Sequence, residues 1–388
     1  MTELINSIPR IWLYLLAGAV LMLLYQMWFW LRYMLVRKKR LIVLPPQTKK
    51  EAEEQQENIG VSVIVAARNE EDNLRNYLHQ LLEQDYPEFE VIVVNDGSED
   101  GTQEVLDEYS ARYTKLKTTF VPRQARILSS KKLALTLGVK AAKYEYLLFT
   151  DADCCPASPH WISEMTEAYR QSGKTEVVLG LGAYFKEKSA LNRLIQYETL
   201  FTAMQYLGMA AAHHPYMGVG RNLSYRKSLF LSKQGFAHLP VARGGDDDLL
   251  VNRFAGKKNT AVVRTGESIT WSVPKRTWAE WYQQRKRHLS VSGLYTTGSK
   301  IRLCLEPLSR AAWYGLLIAM LCVGGWQLQC TAAVLYVARL LMQLIVMRVS
   351  ARRMSVPRPG LETAFWDIVF PLITLWILIL PKSRHVYW

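Results

Sequence analysis

Residues that staple or ligate are scarce: the 388-residue chain has five cysteines and seven histidines. Cys154 and Cys155 are adjacent and ill placed to pair with each other, and Cys304, Cys322 and Cys330 complete no metal-ligand spacing. A disulfide framework is excluded, and the chain reads as a reduced, cytoplasm-facing protein. His213, His214 and His238 lack the spacing of metal ligands and read as loop residues. No internal repeat is present. Acidic charge is in deficit, 34 Asp and Glu against 48 Lys and Arg, which leaves a formal charge of +14.

Mean hydropathy is −0.03 and only 21% of residues are charged, but the apolar residues are spread unevenly. Ile11 to Leu31 is a run of 21 residues without a charge, enough to cross a hydrocarbon core of ~30 Å at ~1.5 Å per helical residue. The run is too long for a signal-peptide core and is followed by Arg37-Lys38-Lys39-Arg40 with no small-residue cleavage site, so it predicts a retained transmembrane helix. Ala311 to Trp326, Thr331 to Met347 and Ala364 to Leu380 are three further candidate spans, the second carrying Arg339. The basic residues Arg37 to Arg40, Arg348, Arg352, Arg353 and Arg358 border these spans, as cations facing the cytoplasm and the anionic inner leaflet do. Membrane topology therefore accounts for the positive charge without invoking nucleic acid.

Four regions follow: an N-terminal transmembrane helix in 1–36, a polar cytoplasmic linker in 37–58, a folded domain in 59–300, and a C-terminal transmembrane region of about three spans in 301–388. The amino terminus lies outside in this topology and the folded domain lies in the cytoplasm of an inner-membrane protein. Lys382-Ser383-Arg384 would also fall outside, against the positive-inside tendency, which keeps a re-entrant last span open.

Inside the folded domain, Val61 to Ala67 is a β-branched run followed by Arg68-Asn69-Glu70-Glu71 and by Leu74, Tyr77, Leu78, Leu81 and Leu82 at helical spacing. Glu90 to Val94 ends in Asn95-Asp96-Gly97-Ser98, with a helix expected from Thr102 to Tyr113. Lys131 to Ala142 reads as helix, and Tyr146 to Thr150 as a strand ending in Asp151-Ala152-Asp153. This alternation predicts an α/β domain with a mostly parallel sheet covered on both faces, its ligand at the carboxyl ends of the strands. The later half is less regular, with strands expected at Val177 to Leu181 and Ala261 to Arg264 and helices near Ser189 to Gly208 and Asp248 to Phe254. From Trp278 onward an aromatic and basic amphipathic helix suits the membrane interface.

Three polar clusters follow apolar segments. Asp151 and Asp153 flank one residue, the pattern that lets Mg²⁺ or Mn²⁺ bridge carboxylates and a substrate's phosphates; two solvated loop acids are the plain alternative. Asp96 can accept hydrogen bonds from a base or ribose where Gly97 allows close approach, although a turn and helix cap explain the same residues. Asp246-Asp247-Asp248 precedes a helix, whose N-terminus favours acids, but three in a row after Gly244-Gly245 exceed that need.

Taken in order, Ala66-Ala67-Arg68-Asn69-Glu70, Asn95-Asp96-Gly97-Ser98, Lys131 with Ala134-Leu135, Asp151-Ala152-Asp153, Gly245 to Leu250 and Gln284-Arg285-Lys286-Arg287-His288 resemble the membrane-bound branch of family-2 glycosyltransferases with the GT-A fold. The resemblance covers about residues 59 to 290. It implies a nucleotide-sugar donor, a UDP-sugar first, held through Ala67, Asn69, Glu70, Asp96, Lys131, Asp151, Gln284 and Arg287, with Asp153 and Asp151 on a divalent metal. It implies Asp247 as general base, with Asp246 as the alternative, and an inverting transfer to a lipid or glycan acceptor at the cytoplasmic face. Arg221 or Asn222 is expected near the donor sugar. His288 departs from the family, which carries Trp there, and this speaks against processive synthesis. Trp278 and Trp281 are expected as interfacial anchors rather than a sugar platform. A non-catalytic membrane subunit that binds nucleotide or glycan is the competing function.

Overall fold

The computed structural model describes residues 10–37, 41–43, 59–122, 131–237 and 244–379. The polar linker of 44–57, His238, Arg243 and the basic tail at 382–384 lie outside them. The elements in chain order are α1 (Arg10–Phe29, continued by a π-helical turn Trp30–Met34), β1 (Leu41–Val43), β2 (Val61–Ala67), α2 (Glu71–Leu82), β3 (Phe89–Asn95), α3 (Thr102–Arg112), β4 (Leu116–Phe120), α4 (Lys131–Ala141), β5 (Tyr146–Asp151) and β6 (Cys154–Pro156). The second half holds α5 (Trp161–Gln171), β7 (Val177–Leu179), β8 (Gly182–Tyr184), α6 (Ala190–Ala211), β9 (Leu223–Arg226), α7 (Lys227–Ser232), α8 (Asp248–Phe254), β10 (Thr260–Val263) and β11 (Thr270–Ser272). The chain then runs through α9 (Trp278–Ser292), α10 (Thr297–Val323), α11 (Trp326–Arg353) and α12 (Thr363–Ile379).

An eight-stranded sheet has the order β1-β10-β7-β9-β5-β2-β3-β4, and a three-stranded one the order β6-β11-β8. Strands β5, β2, β3 and β4 run parallel, and β10 runs parallel to β7. Antiparallel β9 sits between β5 and β7. The expectation of a mostly parallel sheet holds, because β2, β3 and β5 are continuous apolar runs buried on both faces. Alternate side chains sort between two cores. Val61, Val63 and Val65 face a layer built from Leu74, Leu78, Val105 and Trp161. Ile64, Ala66, Ile92 and Val94 face Ala134, Val139 and α6, and this core continues into Trp30, Met34, Val346 and Met347 of the apolar helices.

Several elements differ from expectation for identifiable reasons. The segment 37–58, expected to be linker, contributes β1, which pairs antiparallel with β10. The expected span Ala311 to Trp326 is broken near its end: α10 stops at Val323, and α11 starts at Trp326. A Cβ at Gly324 would lie 2.6 Å from both Leu328 Cβ and the Met320 carbonyl oxygen, so the chain turns where only glycine fits. Among the described residues two helices can cross a membrane by length and composition, Arg10–Met34 and Trp326–Arg353, and Thr363–Ile379 is a shorter apolar helix.

These helices meet around a polar centre. Asp367 on α12 accepts from Arg339 at 2.6 Å, Arg310 at 3.2 Å, Gln343 at 2.9 Å and Tyr314 at 2.7 Å. Arg310 also pairs with Glu306, and Gln26 of α1 accepts from Arg339 at 3.2 Å and donates to Ser309 at 2.5 Å. The side chains of Arg339 and Asp367 are each 2% exposed. Breaking a buried pair from one side strands the remaining charge at a cost of about 3–5 kcal/mol. Asp367→Ala, which leaves Arg339 without a carboxylate and Arg310 with Glu306 alone, should therefore lower the thermal unfolding midpoint of the detergent-purified protein by several degrees. An unchanged midpoint would refute the network's role in holding α1, α10, α11 and α12 together.

Candidate active site

The loops after β2, β3 and β5 all leave the same edge, because these strands are parallel and in register from Val61 onward. Asn69 takes φ +55°, a left-handed turn that Asn tolerates. Its side-chain oxygen accepts from the Glu99 N–H at 2.8 Å, and its own N–H donates to Ser98 Oγ at 3.0 Å. The Glu70 N–H donates to Thr102 Oγ1 at 2.9 Å. Asn69 thus knits the first two loops together. Asp96 is 1% exposed, and its N–H donates to the Ala67 carbonyl at 2.8 Å. Glu70 accepts from Asn73 at 2.6 Å. Burial, reinforced by Asp153 and Asp151 and opposed by Asn73, pushes its carboxyl up to about 7.

Asp151, at the end of β5, forms an ion pair with Lys131 at the start of α4. Burial resists its ionisation, but Lys131, then Arg221 and Arg287, hold it below the usual carboxylate range. Asp153 is shifted the other way, raised by burial and by the charge on Asp151. Oxygens of Asp151 and Asp153 and the sulfur of Cys154 lie within 4.8 Å of one another. Two carboxylates that oppose each other's ionisation in one small volume are a donor set that a divalent cation satisfies, so the residues fit such a metal.

The acidic turn before α8 lies opposite. Gly245 at φ +77° lets the chain double back, and Asp246 reaches to 3.9 Å from Lys131. Asp247 caps α8: its carboxylate accepts from the Asp248 N–H at 2.8 Å and from the Gly220 N–H at 2.6 Å. Burial and neighbouring Asp246 raise it to about 6, against the pull of Lys131. Asp248 turns away and accepts from the Tyr295 hydroxyl at 2.9 Å, which gives the third acid a packing role. Lys131, Thr150, Asp151, Gly220, Asp246 and Asp247 line one cleft.

A polar chain, of which the motifs signalled only Arg221 and Gln284, connects the acids to α9. The Cys154 thiol lies 3.3 Å from Asp153 Oδ1 and 2.9 Å from Ser272 Oγ. Arg221 donates to Ser272 Oγ at 3.1 Å and stacks on the Tyr184 ring, 4.1 Å from its centroid. The Tyr184 hydroxyl in turn accepts from Gln284 at 3.1 Å. Cys154, Tyr184 and Ser272 come from strands of three residues and carry no periodic pattern. Of the two residues expected near the donor sugar, Asn222 is spent elsewhere. It is fully buried, donates to the Leu181 and Ser268 carbonyls at 2.8 and 2.6 Å, and accepts from Trp161 at 3.1 Å.

Helix α9 begins with a capping box formed by Thr277 and Glu280. Trp278 is 52% exposed, but Trp281 is only 5% exposed and donates its indole N–H to Glu198 Oε2 at 3.0 Å. The expectation of an interfacial anchor at Trp281 is therefore corrected, because its polar edge is used inside the domain. Gln284 joins the site through Tyr184, and Arg287 acts on Asp151 through its charge. His288 offers no aromatic face comparable to an indole.

Residues 62–231 match the family model described as glycosyl transferase family 2. A poly-β-1,6-N-acetyl-D-glucosamine synthase of Staphylococcus epidermidis is 30% identical over 145 residues, 36% of this chain and 33% of that protein. A Bacillus subtilis protein named probable glycosyltransferase YdaM is 26% identical over 231 residues, 58% of this chain and 54% of its own length. The chain thus spans about a third to a half of these curated relatives. The structure of a mannosyltransferase from Pyrobaculum calidifontis in complex with GDP-Man and Mn²⁺ superposes with a TM-score of 0.55, covering 94% of this chain and 98% of that one at 18% identity. At that identity the likeness bears on the fold alone. Family model, relatives and architecture agree with the order of acids along the sheet edge: residues 62–231 resemble glycosyltransferase family 2, and the domain has the GT-A fold.

Proposed function

We propose that the protein is a membrane-bound, inverting glycosyltransferase that moves a sugar from a nucleotide donor, a UDP-sugar first, to a lipid-linked or glycan acceptor at the cytoplasmic face of an inner membrane. The observation that carries this reading is the single cleft in which Asp247 faces Asp151 and Lys131. Two apolar helices of sufficient length, Arg10–Met34 and Trp326–Arg353, and the basic residues bordering them support the membrane assignment.

Asp247 is the base in this mechanism. It takes the proton from the acceptor hydroxyl as that oxygen attacks the anomeric carbon on the face opposite the leaving diphosphate, which inverts the centre. The Gly220 and Asp248 N–H groups orient its carboxylate, leaving one oxygen lone pair on each side for the acceptor. Asp153 and Asp151 would hold a Mg²⁺ or Mn²⁺ ion, which supplies positive charge to the departing nucleoside diphosphate. Lys131 and Arg287 add fixed positive charge beside Asp151. Asp96 and Glu70 sit at the neighbouring strand ends, where a base and ribose would lie.

The test is nucleoside diphosphate release by the full chain in lipid nanodiscs, with Mg²⁺ or Mn²⁺ and a panel of UDP- and GDP-sugars. Asp247→Asn should lower turnover by about 10²–10⁴-fold while nucleotide binding persists; wild-type turnover in this variant would remove Asp247 as base. The raised carboxyl sets the pH dependence. A base must be ionised, so kcat should rise with pH through about 6 and level off above it, whereas a flat profile from pH 5 to 7.5 would contradict the assignment. Asp153→Ala should abolish metal-dependent retention of the nucleotide, read by equilibrium binding with and without chelator. Retention unaffected by chelator in the wild type would refute the metal site itself.

A further inference from the structure

We infer that Glu198 is a positioning residue: its carboxylate clamps helix α9 onto α6, and apolar helix α12 closes the clamp from the other side. The inference rests on the reading above, in which Gln284 and Arg287 of α9 face the donor.

Glu198 lies in the middle of α6 and its side chain is 14% exposed. One oxygen accepts the Trp281 indole N–H at 3.0 Å, and the other pairs with Arg285 at 2.5 Å. Trp281 and Arg285 are four residues apart and share one stripe of α9, so one carboxylate grips the helix across a full turn. Charge-assisted bonds of this kind are shorter and stronger than neutral ones. Arg285 is also covered from the far side, its guanidinium 4.9 Å from the centroid of Phe370 on α12. Phe370 packs in turn on Tyr197 and Phe201 of α6 at 5.8 and 6.4 Å. It follows Asp367 by three residues, one helical turn from the hub that holds α12 in the bundle. Farther along, Tyr282 meets Trp376 of α12 at 5.7 Å. Helix α9 is therefore held between the catalytic domain and the apolar helices. The adjoining stripe of α9 delivers Gln284 to the Tyr184 hydroxyl and Arg287 to the charge field of Asp151. Loosening the clamp moves those two groups without touching the cleft itself, and misplacements near 1 Å are enough to cost rate.

The experiment compares full-length wild type, Glu198→Gln and Phe370→Ala in nanodiscs by two independent readouts. Hydrogen exchange of amides 278–292 reads the clamp directly and needs no substrate. Both variants should exchange faster in that segment while β2, β3 and β5 keep wild-type protection; unchanged exchange overturns the clamp even if no donor has been found. Kinetics read its consequence. Glu198→Gln should lower kcat/KM for the donor on the order of tenfold, and adding it to Arg287→Ala should cost little more, because both changes remove the same contribution. Additive losses, or faster exchange with unaltered kcat/KM, overturn the positioning role. If Arg287→Ala alone leaves donor kinetics intact while exchange still responds to Glu198→Gln, the fault lies in the donor-side reading of α9 and not in the clamp.

Discussion

Acids crowd one edge of the sheet, and their mutual repulsion has to be offset before the domain can close around them. Lys131 provides that offset from inside, paired with Asp151 and 3.9 Å from Asp246. Because α4 delivers the ammonium and β5 the carboxylate, the ion pair ties helix to strand at the point where chemistry is needed. The same charge acts on Asp247, which keeps its carboxyl from rising further under burial. One cation therefore favours the ionised form of acids from two distant parts of the chain. The result is a division between a carboxylate held ionised at Asp151 and one poised near neutrality at Asp247, as acid–base chemistry beside a charged donor requires.

The apolar helices bear on this arrangement through packing. The π-helical turn after α1 presses on α6 so closely that a Cβ at Gly208 would overlap the Tyr33 carbonyl oxygen. Trp30 meets Phe201 of α6 with ring centroids 5.9 Å apart. The core on one face of the sheet thus runs without interruption from Ile64 and Val94 to Val346 and Met347. Catalytic domain and helical bundle share one hydrophobic core, so the bundle is part of the domain's support. The Asp367 hub then fixes the helices relative to one another through directional bonds, which an apolar interface in lipid lacks.

Local chemistry alone specified a good part of this protein. The apolar runs at Val61, Val91 and Tyr146, the acids that end them and the long apolar runs at both ends of the chain are contiguous patterns, and they predict the parallel strands, the edge that carries Asp96, Asp151 and Asp153, and the long helices. Helix α2 was legible from the spacing of Leu74, Leu78, Leu81 and Leu82, and α4 and α8 were also expected as helices. Strands β4, β6, β8 and β11 were not, since they lack the apolar β-branched runs that marked β7 and β10, and the pairing of β6, β8 and β11 comes from partners far along the chain. The helix α5 was missed because its apolar residues, Trp161, Ile162 and Met165 among them, follow a polar loop without a clear cap.

Only the tertiary structure decided which polar residues meet. Glu198 and Trp281 are 83 positions apart, and Gln26 and Arg339 are 313 apart. Asn222 and Arg221 are neighbours in sequence, yet one is consumed by backbone carbonyls while the other reaches the acids through Ser272. Asp247 and Asp248 look alike in the sequence, and the fold gives one to the cleft and the other to Tyr295. The physical reason is common to all of them. A motif reports which side chains stand at a strand's end, but buried charge is settled by which counter-charges and N–H groups the fold brings within about 3 Å, and no local pattern contains that distance.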